Sequence, residues 1–214
     1  MPIARRAETL RPRKQPRQTR SRETVQVILR AAAQVFSTRG YAATTTNHVA
    51  ARAGVSIGSL YEYFPNKDAL LVALLEQHLA EGEAILTGVW SKLDTCRDMH
   101  EVVRRFSRAM FDLHARDRVL HRLLFEEAPL PSRTRQRLFA MEREAAARVE
   151  AYLRARPGRT RRDPALAAAV IVQCIEGLTH KLVVHENDTA ASEVYVEEMV
   201  ALVTAYLAAP RRDA

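Results

Sequence analysis

Residues Thr45 to Leu71 read TTNHVAARAGVSIGSLYEYFPNKDALL, a stretch that places two short helices, a tight turn and the start of a third helix in twenty-seven residues. Thr46 has the side chain of an N-cap, whose hydroxyl can accept from amides that the first turn of a helix leaves unpaired. The helix it would open carries an apolar face of Val49, Ala50 and Ala53. Gly54 ends that helix, because glycine takes the left-handed backbone of a helix C-terminus at little steric cost, and Val55 can plug back into the core. Ser56 is the next N-cap, for a helix from Ile57 to about Tyr63. Pro65 stops it, since the residue before a proline is pushed out of the helical region.

Two helices joined by a short turn containing glycine form a helix-turn-helix, whose second helix can enter a DNA major groove. Gly58 and Ser59 on the first turn of that helix leave room for phosphate and base edges, where a purely structural helix would rarely place glycine. Leu60 and Phe64, four apart, anchor the opposite face, and Tyr61 and Tyr63 flank it with hydroxyls that can reach phosphate. Asn66 can cap a helix beginning at Lys67. A cation there opposes the helix dipole, which an adjacent phosphate would explain.

Gly40, Tyr41, Thr44 to Thr46, Val49, Ala50, Ala53 to Ser56, Gly58 to Tyr61, Tyr63, Phe64, Lys67 and Leu70 together make a pattern that resembles the DNA-binding domain of the TetR family of bacterial transcriptional regulators. The resemblance covers roughly Ser21 to Leu75 and rests on many spacings at once. It implies base contacts from Asn47, Ile57, Gly58 and Ser59, and phosphate contacts from Thr45, Thr46, Ser56, Tyr61, Tyr63 and Lys67. The chemistry fits in part: Asn47 can pair bidentately with adenine, Ser59 can meet donor or acceptor edges, and Ile57 can touch a thymine methyl. With few hydrogen bonds available from Ile57 and Gly58, much of the readout is expected to come from DNA shape and phosphate contacts.

Composition agrees with a helical nucleic-acid binder. The chain has 214 residues, 47% hydrophobic and 27% charged, with only 7 Gly and 9 Pro. No alternating strand pattern appears, and an all-α fold of about nine helices is expected. The net charge of +8 is concentrated: Arg5, Arg6, Arg11, Arg13, Lys14, Arg17, Arg20 and Arg22 against Glu8 put +7 of it in the first 22 residues. Residues 1–20, with Pro2, Pro12 and Pro16, read as a disordered basic arm able to lie along phosphates or in a minor groove. Residues 21–66 read as the helix-turn-helix domain and 67–214 as a helical ligand-binding and dimerisation domain. Cys96 and Cys174 form no disulfide framework or zinc spacing, no metal site or cofactor is expected, and a reducing cytoplasm fits. The apolar run Ala165 to Val172 is too short to cross a bilayer, so no membrane partner is expected.

Beyond the head, periodic apolar residues predict helices over about Arg22–Thr38, Lys67–Leu86, Asp98–Ala115, Arg118–Glu127, Ser132–Arg156 and Pro164–His185, with a last one after an Asn187–Ala190 turn. The helix from Lys67 leaves the head for the second domain and would link the two mechanically. The resemblance implies that the last two helices pair with their copies in a homodimer, through Val170, Cys174, Gly177, Leu178, Met199, Leu202 and Tyr206, and that the second domain encloses a small-molecule pocket. Candidate lining residues are Trp90, Phe106, Met110, Phe111, His114, Phe125, Tyr152 and Cys174. No phosphate loop, nucleophile elbow or paired-carboxylate arrangement indicates an enzyme. The expected function is a DNA-binding regulator, a repressor released from a palindromic operator by a ligand, with an activator or a protein-controlled regulator as the alternative.

Overall fold

A computed structural model of the chain describes residues 19–93, 96, 98–116, 118–123, 131–156, 158, 160, 162–185 and 192–209. Among them the secondary structure is entirely helical: α1 (Thr19–Ala43), α2 (Thr46–Ala53), α3 (Ile57–Tyr63), α4 (Lys67–Leu93), α5 (Met99–Ala115), the five-residue α6 (Arg118–Arg122), α7 (Ser132–Arg154), α8 (Pro164–His185) and α9 (Ser192–Ala208). The expected Asn187–Ala190 turn, Phe125 and nearly all of the basic arm lie outside the described residues.

Local chemistry sets most of the boundaries. Gly40 breaks α1 with φ 72, and the chain makes one further turn to Ala43. α5 is capped by Asp98, whose carboxylate accepts from the His100 amide, and α8 by Asp163, which accepts from the Leu166 amide. Pro164 opens α8, where its missing amide hydrogen costs no bond. Ser132, expected to cap α7, is already helical; the α7 ladder begins from the Pro131 carbonyl, which accepts from the Arg135 amide.

The chain divides into two compact units, one of Met1–Leu79 with Val119–Arg135 and one of Ala80–Arg118 with Gln136–Ala214. The division falls inside α4, beyond the expected boundary at residue 66. In the first unit, α1 packs on α2 and α2 on α3. Ile28, Phe36, Val49, Leu60, Phe64, Leu70 and Leu123 are among its fully buried apolar side chains. The His78 and His121 rings also meet there, with centroids 5.3 Å apart.

In the second unit, α5 packs against α8 and α9, around Trp90, Val103, Phe106, Tyr152, Ile171, Ile175 and Val203. Arg104 on α5 donates to both carboxylate oxygens of Glu197 on α9, at 2.7 and 2.8 Å, and Arg108 pairs with Glu193. Arg137 on α7 grips Glu83 on α4 in the same way and holds its carboxyl below the usual range. These pairs are solvated and orient the helices more than they stabilise them.

The window Pro164–Val183 within α8 is long and apolar enough to cross a membrane by length and composition, with 39% of it buried. The expectation drawn from Ala165–Val172 alone therefore understates how apolar this helix is. Ala167, Ile171, Val172 and Ile175 explain part of that composition as core, while Leu166, Val170 and Leu178 face outward at 61%, 39% and 38% exposure.

Candidate nucleic-acid interface and ligand cavity

The helix-turn-helix is held by caps at each junction. Thr45, not Thr46, is the N-cap of α2: its hydroxyl accepts from the His48 amide and the His48 Nδ1 accepts from the Thr45 amide, both at 3.3 Å. Two adjacent threonines could each cap, and the one three residues before His48 gains the reciprocal bond of a capping box. Thr46 is thereby displaced into the first turn, where its hydroxyl pairs with the Tyr61 hydroxyl of α3 at 3.0 Å. Gly54 closes α2 with φ 68, and the Val55 amide returns to the Ala50 carbonyl at 3.1 Å. Ser56 caps α3 by accepting from the Ser59 amide at 3.0 Å, and its hydroxyl also lies 2.8 Å from the Ser59 hydroxyl.

These caps turn one face of α3 to solvent. Asn47, Ser56, Ile57, Gly58 and Tyr61 are exposed together with Thr45, while Thr46, Ser59 and Tyr63 are half-buried. Gly58 is informative because the chain itself does not require it. Among the described residues, and apart from the helix's own backbone, a methyl group there would meet only the Ser56 Oγ, at an ordinary 3.8 Å.

Lys67 behaves differently from its neighbours. Its Nζ turns back onto the end of α1, donating to the Tyr41 carbonyl at 2.9 Å and the Ala42 carbonyl at 3.3 Å, and sits 4.4 Å from the centre of the Tyr41 ring. Asn66 caps α4 as expected, accepting from the Ala69 amide at 2.8 Å.

In the second unit a small apolar cavity of about 30 Å³, partly open to solvent, is lined by Trp90, Met99, Val102, Val103, Phe106, Val149, Tyr152, Ile171, Val172 and Ile175. The Tyr152 hydroxyl, its one side-chain oxygen or nitrogen besides the Trp90 indole, donates to the Cys96 carbonyl at 3.2 Å. Of the expected lining residues, Trp90, Phe106 and Tyr152 are in the wall, with the Trp90 and Phe106 rings stacked 5.6 Å apart. Met110, Phe111 and His114 are buried but outside it, His114 with Nδ1 2.6 Å from the Met110 carbonyl. Cys174 is half-buried and also outside it; burial raises its thiol pKa. The aliphatic lining residues escape sequence reasoning because valine and isoleucine at helical spacing look the same whether they meet a cavity or a neighbour.

Of the residues expected on the pairing face, Val170, Gly177, Leu178 and Leu202 are exposed. Met199 is not: at 2% exposure it belongs to the core of its own unit, because α9 turns it inward with Val196, Val200 and Val203. Tyr206 is half-covered, its ring under the Arg162 guanidinium at 4.3 Å.

A capped helix-turn-helix with an open second helix, in an all-helical chain whose second unit encloses an apolar cavity, defines a DNA-binding transcriptional regulator. Residues 28–74 match the family profile described as bacterial regulatory proteins, tetR family, and residues 98–207, more than half of the chain, match that of the tetracyclin repressor-like C-terminal domain. The chain belongs to the TetR family, and is a regulator rather than an enzyme.

Among curated relatives, it is 37% identical over 99 residues to the HTH-type transcriptional activator FasR of Mycolicibacterium smegmatis, a match covering 46% of this chain and 44% of that one. It is 30% identical over 138 residues to the nucleoid occlusion factor SlmA of Haemophilus influenzae, covering 63% and 62%. The matched regions thus span less than two thirds of either relative. Solved structures share the fold. They include a TetR-family protein of Mesorhizobium loti (TM-score 0.69, 22% identity, 89% of this chain and 98% of that one) and the fatty acid degradation regulator FadR of Bacillus halodurans (0.66, 19%, 91% and 98%). AibR, solved with isovaleryl coenzyme A and operator DNA, superposes with TM-score 0.62 at 22% identity over 84% of this chain and 97% of that one.

Proposed function

We propose that the chain is a cytoplasmic repressor that holds a palindromic operator as a homodimer and releases it when a small molecule with an apolar body enters the second unit. Asn47, Ile57, Gly58 and Ser59 read the bases, and Thr45, Thr46, Ser56, Tyr61 and Tyr63 hold phosphates, with the basic residues of 1–20 adding sequence-independent attraction. The observation that carries the ligand reading is the cavity wall, ten side chains of which none is charged. Such a wall accepts a hydrocarbon chain or ring and rejects a buried charge. An acyl group fits this description, in keeping with the isovaleryl coenzyme A held by AibR.

The homodimer reading is supported by the outward apolar residues of α8 and α9. Leu166, Val170 and Leu178 are joined by Val194 and Leu202, at 59% and 50% exposure. Gly177 lies on the same helix, and among the described residues no atom beyond that helix's own backbone comes within 4 Å of an added methyl, which leaves room for a second copy to approach.

The test is displacement. A duplex selected by the protein is titrated with acyl coenzyme A esters of increasing chain length. Release that depends on chain length is expected, and Val103→Trp, which fills the cavity, should abolish release while leaving DNA binding in place. Release that persists undiminished in Val103→Trp would place the ligand elsewhere. A second reading, transcriptional activator, is favoured by the match to FasR, and transcription in vitro separates the two: added protein lowers product from a repressed promoter and raises it from an activated one.

A further inference from the structure

We infer that Lys67 is a positioning residue for the DNA-binding head rather than one of its phosphate contacts: it ties the first turn of α4 to the turn that delivers the chain into α2. The inference rests on the reading that this head binds DNA and assigns one of its residues a different part in it.

A lysine ammonium has three N–H donors and no acceptor. In Lys67 two of them are taken by the carbonyls of Tyr41 and Ala42, and the ammonium lies over the Tyr41 ring, 4.4 Å from its centre. Those carbonyls belong to the last turn of α1, where a helix leaves its acceptors without intrahelical partners and where the dipole favours a cation. The cation that opposes the dipole of its own helix is therefore explained by the end of another. Two of the three protons are thereby committed to carbonyls, and a phosphate could take those two only by displacing them.

The neighbouring residue repeats the tie. The Tyr41 hydroxyl donates to the Asp68 carboxylate in a short hydrogen bond, and the Tyr41 ring stacks on Phe36, which is fully buried. Lys67 and Asp68 thus hold Tyr41 by its carbonyl, its ring and its hydroxyl. Immediately after Tyr41 the chain enters the head: Thr44, 1% exposed, donates from its hydroxyl to the Gly40 carbonyl at 2.7 Å, and Thr45 caps α2. Gly40, at φ 72, makes this turn sharp but does not fix where it points. The Lys67 and Asp68 bonds do.

The two roles differ in a quantity that can be read directly. A lysine that neutralises a phosphate lowers the slope of log affinity against log salt by about 0.9 when removed, whereas a positioning residue lowers affinity and leaves the slope in place. Operator affinity is measured over a salt series for the full chain, for Lys67→Met, which keeps the stem and removes the charge, for Tyr41→Leu, and for the double variant. Each single variant is expected to weaken binding roughly tenfold with the slope unchanged, and the double variant to lose less than the product of the two, because the contact between the ammonium and the Tyr41 ring is lost in both.

Tyr41→Phe keeps the ring and its packing, loses only the bond to Asp68, and gives a smaller loss with the same slope if the larger changes compromise folding. Amide exchange without DNA supplies the second readout: in Lys67→Met it should quicken over the Tyr41 to His48 amides and nowhere else. A slope reduced by about 0.9, or losses that multiply in the double variant, would overturn the inference. Unchanged exchange over that segment would overturn it too. Should the unaltered chain enrich no duplex, the DNA-binding reading fails, and the exchange readout still decides whether the tie orders the turn.

Discussion

Gly58 separates the demands of the fold from those of the DNA. The position is helical and exposed, and a methyl group meets nothing closer than 3.8 Å, so Gly58→Ala should stabilise the free protein by about 0.5–1 kcal/mol in thermal unfolding. The same variant should weaken operator binding, measured by titration of the selected duplex, because the methyl takes the space a base edge or phosphate would use. Asn47→Ala should cost about 1–3 kcal/mol of discrimination at one base pair while leaving nonspecific binding intact, as read by comparing operator variants. Glu176 couples stability to pH. Burial, and then the Glu142 carboxylate, raise its pKa from 4.5 to about 7. The folded state then holds a proton that the unfolded state has released, so stability falls as pH rises through the window between those values. Glu176→Gln should remove this dependence and add on the order of 1–3 kcal/mol at pH 8, measured by denaturant unfolding across pH.

The head's elements follow from local signals. Thr45→Ala removes the capping hydroxyl of α2 and should cost about 0.5–2 kcal/mol, whereas Thr46→Ala should cost the head less stability and act on the Tyr61 pair; chemical denaturation of the two variants distinguishes them. Gly54, Ser56 and Asn66 are readable as caps because a cap is decided within four residues, and the same locality makes the long helices legible. The N-cap of α2 lies one residue from its expected place because the deciding group, the His48 ring, is a less common capping partner than a carboxylate. The illegible remainder depends on residues far apart in sequence. Lys67 meets carbonyls 25 and 26 residues away, His78 meets His121, and Val102 shares a wall with Ile171. No local pattern announces such meetings. Met199 falls on the wrong face for a related reason: a helix apolar on most of its circumference does not reveal which side faces its own core.

At the scale of the molecule, reading a palindrome requires two copies, since one head covers only half of it. Leu202→Glu with Val170→Glu places charges on the outward faces of α8 and α9, where neither wild-type side chain is buried in its own chain. The variant should sediment as a folded monomer and lose most of its operator affinity while retaining weak nonspecific binding. Operator recognition by a dimer is tested by selecting duplexes from a random pool with the unaltered chain and determining the number of chains per bound duplex by mass. The expected result is an enriched palindrome whose half-sites are centred about 34 Å apart, bound by an even number of chains. Enrichment of an asymmetric site bound by one chain, or no enrichment above nonspecific binding, would contradict it.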